Sequence, residues 1–449
     1  MVKGNIPKRY FVAKALCFFF ILISVLVFIY TFHRAEITFQ GTRGYVYNKY
    51  YILSIASFIF WTFLLKFKDE LILNTVLFST SLLGGIYAVE FSINKLLSSE
   101  LSKDFDTRTV YEVYQDLLNQ GLTAVPSVRP TIFLSTNGLD TGDEPLFPLA
   151  GVSNVQTVYC NESGERIIYR SDKYGFRNPP SAWDMSDQKW ILVGDSFTQG
   201  ACVNDNHTIS SFIQSFSNEV SVLSLGIGGN GPLIELASIE EYAKHFRPKV
   251  LVWMYFEGND LVSNLPYELK SPLIKNYLKP NFNQNLINRQ SEIDTKINKF
   301  IKESVDYRST SILFYLEDFI QNSRTLRLLN IRRILGIDKQ KEELDYSSDF
   351  RKVLKEAKRR VESWNGKIVF VYLPEYSRYL LKDQDNSNFR KRREVLDIIK
   401  NLDIEIVDIH TEVFKKHSDP LSLFPRRSEP HYTPEGYRLT AKAIKDAIE

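Results

Sequence analysis

Residues 190–200 read Trp190-Ile-Leu-Val-Gly-Asp-Ser-Phe-Thr-Gln-Gly200. Trp190–Val193 are consecutive apolar residues, the pattern of a strand buried on both faces, and the chain then breaks at Gly194-Asp195-Ser196 with a second glycine at Gly200. A serine just past the carboxyl end of such a strand lies where an open α/β sheet presents side chains to a ligand crevice. The turn leaves its hydroxyl exposed beside backbone N–H groups, as an acyl-transfer nucleophile requires. Gly-Asp-Ser also opens ordinary turns in which the serine merely caps a helix. The reading therefore depends on partners downstream.

Three stretches supply them. Ser221-Val-Leu-Ser-Leu-Gly-Ile-Gly-Gly-Asn-Gly231 is a short apolar strand running into clustered glycines, which leave backbone amides open to a developing oxyanion. Lys249-Val-Leu-Val-Trp-Met-Tyr-Phe-Glu-Gly-Asn-Asp260 is a longer buried strand ending at Gly258-Asn259-Asp260, where the Asn259 amide can serve as a second oxyanion donor. Glu429-Pro-His-Tyr-Thr-Pro-Glu-Gly-Tyr437 places His431 just before a turn that opens a last helix, Tyr437 to Ile448. Lys367–Leu373 and Glu405–Ile409 complete five strands separated by helical stretches, which predicts a parallel sheet with helices on both faces.

Serine, glycine, asparagine and histidine in that order resemble the motif blocks of the SGNH (GDSL-type) hydrolases. Carried over, Ser196 matches the nucleophile, Gly229 the second-block glycine (with Gly228 beside it as the alternative), Asn259 the third-block asparagine and His431 the base. The resemblance covers about residues 155–449 and implies a flavodoxin-like three-layer α/β fold with ester hydrolysis or acyl transfer and no cofactor or metal. One position departs from the pattern. The family places an aspartate two or three residues before the histidine to orient the imidazole, and this chain has Ser428 and Glu429 there. Glu429 can take that role with one more methylene, or stand as a solvated carboxylate beside Arg426 and Arg427.

The N-terminal third has a different composition. Ala15–Phe32 is uncharged and long enough to cross a bilayer, Tyr50–Leu65 is a shorter uncharged run flanked by Lys49 and Lys66, and Leu71–Phe91 is interrupted only by Glu90. These predict three transmembrane helices at about residues 11–32, 50–66 and 71–91 within a membrane anchor, residues 1–95. No small-residue cleavage site follows Phe32, so a signal peptide fits poorly. Lysines and arginines fall on both sides of these runs, and their bias does not fix an orientation.

The cysteines bear on orientation. Cys17 lies in the first apolar run, whereas Cys160 precedes the nucleophile strand and Cys202 follows Ser196 by six residues. An arm laid along that strand would bring Cys160 and Cys202 into a disulfide, against the alternative of two reduced buried cysteines. A disulfide agrees with an extracytoplasmic domain on a multi-pass protein of the inner (cytoplasmic) membrane, facing a bacterial periplasm.

Residues 96–185 read as a linker and N-terminal arm. It carries a small hairpin at Tyr159–Tyr169 turning at Ser163-Gly164, and Arg177, expected to tie the arm to the core. Residues 186–449 form the hydrolase-like domain, with a helical insertion at about 266–366. A net charge of +3 leaves no nucleic-acid footprint, and there is neither zinc-type Cys/His spacing nor a P-loop.

The expected function is a membrane-anchored serine esterase or O-acyltransferase. Its substrates would be acyl esters, acetyl foremost, of a cell-envelope polysaccharide or glycolipid, with the bilayer as partner. A transferase with so few spans would need a membrane partner as acyl donor. The competing reading is a non-catalytic glycan-binding module in polysaccharide assembly, which the missing aspartate keeps open.

Overall fold

The computed structural model describes residues 8–38, 44–98, 105–142, 144–184, 189–217, 220–310, 319–320, 323, 325–335, 345–380 and 389–449. They divide into two compact units, Met1–Glu100 with Ile312–Gln340, and Leu101–Ser311 with Lys341–Glu449.

The larger unit is built on a sheet of β4 (Lys189–Gly194), β5 (Ser221–Ser224), β6 (Val250–Phe256), β7 (Lys367–Leu373) and β8 (Glu405–Asp408). The strand order is β5-β4-β6-β7-β8, every neighbouring pair is parallel, and Trp190 of β4 aligns with Val222 of β5 and Val250 of β6. Counted within this sheet the order is 2-1-3-4-5, the flavodoxin-like arrangement, and the chain reverses direction across the sheet at β4. The crevice outside the carboxyl end of β4 is thus the topological switch point.

Alternation along the strands fills both faces. Ile191, Val193, Leu223, Leu251, Trp253 and Tyr255 join one apolar core, and Trp190, Leu192, Val222, Val252 and Met254 the other. On the first face lie the helices Pro232–Ser238 and Ser347–Glu362, the latter through Phe350, Val353, Leu354, Ala357 and Val361. On the second lie Ile209–Phe216 and Pro434–Ile448, the latter through Tyr437, Ala441 and Ile444. These residues recur at three- and four-residue intervals, which gathers them on one stripe of each helix. Burying each large aliphatic side chain is worth about 1.5–3 kcal/mol, so the strand end at Gly194 is firmly fixed.

The stretch expected as a linker is part of this unit's core. Phe147, Leu149, Phe176 and Trp183 are buried in the same cluster as Ile191 and Trp253. The arm forms a second, three-stranded sheet of β1 (Ala124–Pro126), β2 (Gln156–Val158) and β3 (Ile168–Arg170), with β1 and β2 parallel and β2 and β3 antiparallel. Arg177 fastens it as expected. Buried, it donates to the Gly200 carbonyl (2.6 Å), the Val203 carbonyl (2.8 Å) and Asp205 Oδ1 (2.8 Å).

The smaller unit holds the helices Lys8–Phe32, Gly44–Leu64 and Asp69–Ser98. Phe20 stacks on Trp61 with ring centroids 4.4 Å apart, and the Ser24 and Ser57 hydroxyls share a 2.8 Å hydrogen bond. Among the described residues two segments, Lys8–Ile37 and Asp69–Lys95, are long and apolar enough to cross a membrane, where three were expected. The middle helix falls short because Tyr45, Tyr47, Asn48, Lys49, Tyr50 and Tyr51 dilute its apolar run. Part of the insertion belongs here rather than with the sheet. Glu90, the lone charge within the third apolar run, is buried and accepts the amides of Asn330 (3.1 Å) and Ile331 (2.9 Å).

Candidate active site

β4 ends at Gly194, where a Cβ would stand 2.1 Å from Thr198 Oγ1 and 2.9 Å from the Met254 carbonyl, so no other residue fits. Asp195 follows as the cap of the short helix Ser196–Gln199, its Oδ1 accepting the Phe197 amide at 2.9 Å. Asp195 is fully buried, and that burial pushes its carboxyl above the usual range. It braces the turn and leaves Ser196 at the mouth of the switch-point crevice.

His431 reaches Ser196 from the other end of the chain. The Thr433 amide donates to the Leu423 carbonyl (2.8 Å) and the Tyr432 hydroxyl to the Pro374 carbonyl (2.7 Å), which fixes the segment before the last helix. His431 Nε2 then lies 2.9 Å from Ser196 Oγ, across a sequence separation of 235. The Phe197 ring packs beside the imidazole at 4.9 Å between centroids.

The carboxylate on the far side of the imidazole is Glu162. Its Oε1 stands 2.7 Å from His431 Nδ1, and its Oε2 accepts the His431 amide at 3.3 Å. Glu429 instead pairs with Arg426 at 2.7 Å. The turn at Pro425–Arg427, with Arg426 in the left-handed region at φ +51°, folds that guanidinium back onto Glu429, while Glu162 occupies the imidazole's second nitrogen. The orienting acid expected at Glu429 is therefore supplied by the arm. A Ser–His–carboxylate chain with Nε2 toward the hydroxyl and Nδ1 toward the acid is the arrangement that lets imidazole take the serine proton.

The residues expected as oxyanion donors stand past two further strand ends. Asn259, just past β6, has its Nδ2 3.3 Å from Asp195 Oδ2 and thus close to the nucleophile turn. Its backbone carbonyl accepts the amides of Ser263 and Asn264, both at 2.9 Å. Beyond β5, the Gly228 amide donates to Gln199 Oε1 at 2.7 Å, which removes it from contention, and a Cβ on Gly228 would lie 3.6 Å from Ser196 Cβ. Gly229 is next, at φ +86°, a conformation open to glycine, and its amide has no hydrogen-bond partner among the described residues. The loop is pinned by Glu268, which accepts the amides of Gly231 (2.6 Å) and Leu233 (2.9 Å), and by Asn264, which donates to the Asn230 carbonyl (2.9 Å). Burial raises Glu268 to about 7 even though those amides oppose the shift.

Cys160 and Cys202 are joined in a disulfide with Cα atoms 5.2 Å apart. Glu162, Cys202 and His431 each bring a ligand-type atom within 4.8 Å of the others. The cysteine sulfur is spent in the disulfide and the imidazole nitrogens face Ser196 and Glu162, so this donor set does not suit a metal. Glu162 was the residue that sequence reasoning missed. Its signal was position: it follows Cys160 by two residues, and the expected disulfide already laid that hairpin beside the nucleophile.

Among solved structures the chain is similar to a G-D-S-L family protein described as lipolytic from Desulfitobacterium hafniense DCB-2, at 13% identity over 58% of this chain and 100% of that one, with a TM-score of 0.33. It is also similar to a lipase/acylhydrolase from Enterococcus faecalis (11% identity, 58% and 95%, TM-score 0.31) and to the acetyl xylan esterase AlAXEase (12% identity, 58% and 100%, TM-score 0.32). No family model and no curated protein matches the sequence. At such identities the chemistry of the site rests on this chain's own distances.

Proposed function

We propose that the protein is a membrane-anchored, extracytoplasmic serine esterase or O-acyltransferase acting on acyl esters, acetyl foremost, of a cell-envelope polysaccharide or glycolipid. The observation that carries the catalytic part is the 2.9 Å approach of His431 Nε2 to Ser196 Oγ, backed by Glu162 at 2.7 Å from Nδ1. His431 takes the Ser196 proton as the oxygen attacks the ester carbonyl. The Ser196 and Gly229 amides and the Asn259 side chain face the oxyanion, and Glu162 steadies the imidazolium. Collapse expels the alcohol, which leaves with the proton from His431. Water, or an acceptor hydroxyl in a transferase, then attacks the acyl-enzyme by the same steps in reverse.

Two apolar helices support anchoring to a membrane, and the Cys160–Cys202 disulfide supports an oxidising compartment outside the cytoplasm. The glycan-binding alternative draws on the missing aspartate before His431, and the approach of Glu162 to Nδ1 favours the catalytic reading. Labelling with a fluorophosphonate tests the reading: wild type should carry the adduct on Ser196, and Ser196→Ala none. An unlabelled wild type contradicts it. Acyl release from O-acetylated glycan, with and without an acceptor glycan, separates esterase from transferase.

A further inference from the structure

Glu162 is held by neither strand nor helix. The ladder between β2 and β3 pairs only Gln156–Val158 with Ile168–Arg170, and Glu162 lies in the turn between them. Its carboxylate contacts are with His431 itself, so they cannot place it independently of the site. Within two residues of it, the Cys160 carbonyl accepts the Ile167 amide (3.0 Å) and the Gly164 carbonyl the Asp106 amide (2.8 Å), both bonds within the arm. Asn161 accepts the Gly164 amide and donates to the Asp106 carbonyl, both at 2.8 Å, which ties the turn to the arm alone. The remaining tie is the disulfide from Cys160. It lands on Cys202, six residues past Ser196 on the segment leaving the nucleophile helix, next to Ala201, whose carbonyl accepts the Tyr437 hydroxyl at 3.2 Å. Among the described residues, it is thus the tie nearest Glu162 that joins the arm to the nucleophile's own segment.

We infer that Cys160 and Cys202 are positioning residues for the acid: closing their disulfide sets Glu162 against His431, and the chain with both thiols reduced is a poor catalyst. The inference rests on the serine-esterase reading above. The disulfide spans a separation of 42 residues, and opening it leaves the Glu162 turn held by bonds within the arm. A displacement of about 1 Å in a catalytic group can cost on the order of a hundredfold in rate. Closure removes two electrons and two protons from the thiols. They pass by thiol–disulfide exchange to an oxidised dithiol donor, which leaves as the dithiol. Such exchange is driven outside the reducing cytoplasm, so the chain gains its oriented imidazole only after export.

The test uses the full chain in detergent with 4-nitrophenyl acetate. It compares the oxidised protein, the protein reduced by a phosphine with thiols counted, the Cys160→Ser/Cys202→Ser double variant, and Glu162→Gln in both redox states. Reduction and the double variant should each lower kcat about tenfold to a hundredfold while KM stays within about twofold. Oxidised glutathione should restore the reduced wild type and leave the double variant low. In Glu162→Gln, reduction should lower kcat no further, because the bond acts through the carboxylate already removed. Full kcat in the verified dithiol overturns the inference, as does an equal loss in wild type and Glu162→Gln, which would make the bond general support for the fold. An oxidised wild type that neither hydrolyses the ester nor takes the fluorophosphonate overturns both this inference and the reading beneath it.

Discussion

The site draws on two regions held by different means. Ser196, Asn259 and Gly229 stand at the ends of strands whose side chains are buried on both faces, and His431 stands at the mouth of a helix packed on the same sheet. Glu162 comes from the turn of a hairpin whose strands are three residues long, on an arm that packs on the core and that a disulfide and a buried arginine also secure. Hydrophobic burial is diffuse and places strand ends without reference to any one contact. The turn that carries Glu162 depends on a few discrete ties, so single changes there should displace a group that single core changes would leave in place.

The comparison can be sharpened by breaking each region in turn. On the sheet side, Asn259→Ala should cut kcat about a hundredfold to a thousandfold with the fold intact, since it removes one oxyanion donor. Steady-state kinetics and a thermal melt check both halves of that expectation. On the arm side, Arg177→Met leaves the Gly200 and Val203 carbonyls without their buried donor. It should cost about 2–4 kcal/mol in urea unfolding.

The loop that carries Gly229 should respond to pH. Burial raises Glu268 to about 7 from its ordinary value of 4.5, so its contribution to stability is full below pH 4.5 and is lost as pH rises through about 7. The stability of wild type relative to Glu268→Gln should therefore fall by up to about 3 kcal/mol between pH 4.5 and 8. Urea midpoints across that range check the sign. A flat difference would mean that the buried carboxyl titrates as it does in water.

The same contrast explains what could be read from the sequence. The five strands of the main sheet were legible, four of them as apolar runs that end near glycine or proline. So were the strand-end residues, which stand at fixed offsets from those runs. Arg177 and the cysteine pair were legible too, as long-range ties suggested by composition and placement. The orienting acid was not, because nothing local distinguishes Glu162 from any other turn glutamate. Glu429 looked better placed by its distance from His431 in sequence. Sequence distance misled there because Pro430 and the left-handed turn at Arg426 and Arg427 direct the Glu429 carboxylate to Arg426. The middle N-terminal helix reads as a third span from an uncharged run flanked by Lys49 and Lys66, and its tyrosine-rich first turns leave it less apolar than the two helices beside it.

The claim that the imidazole is oriented from the arm is tested most directly by kcat for Glu162→Gln and Glu429→Gln measured side by side on 4-nitrophenyl acetate. Glu162→Gln should lose on the order of a hundredfold to ten-thousandfold, as when the acid of a Ser–His–acid relay is neutralised, and Glu429→Gln less than about threefold. The reverse ranking, or two variants equally active, would contradict it.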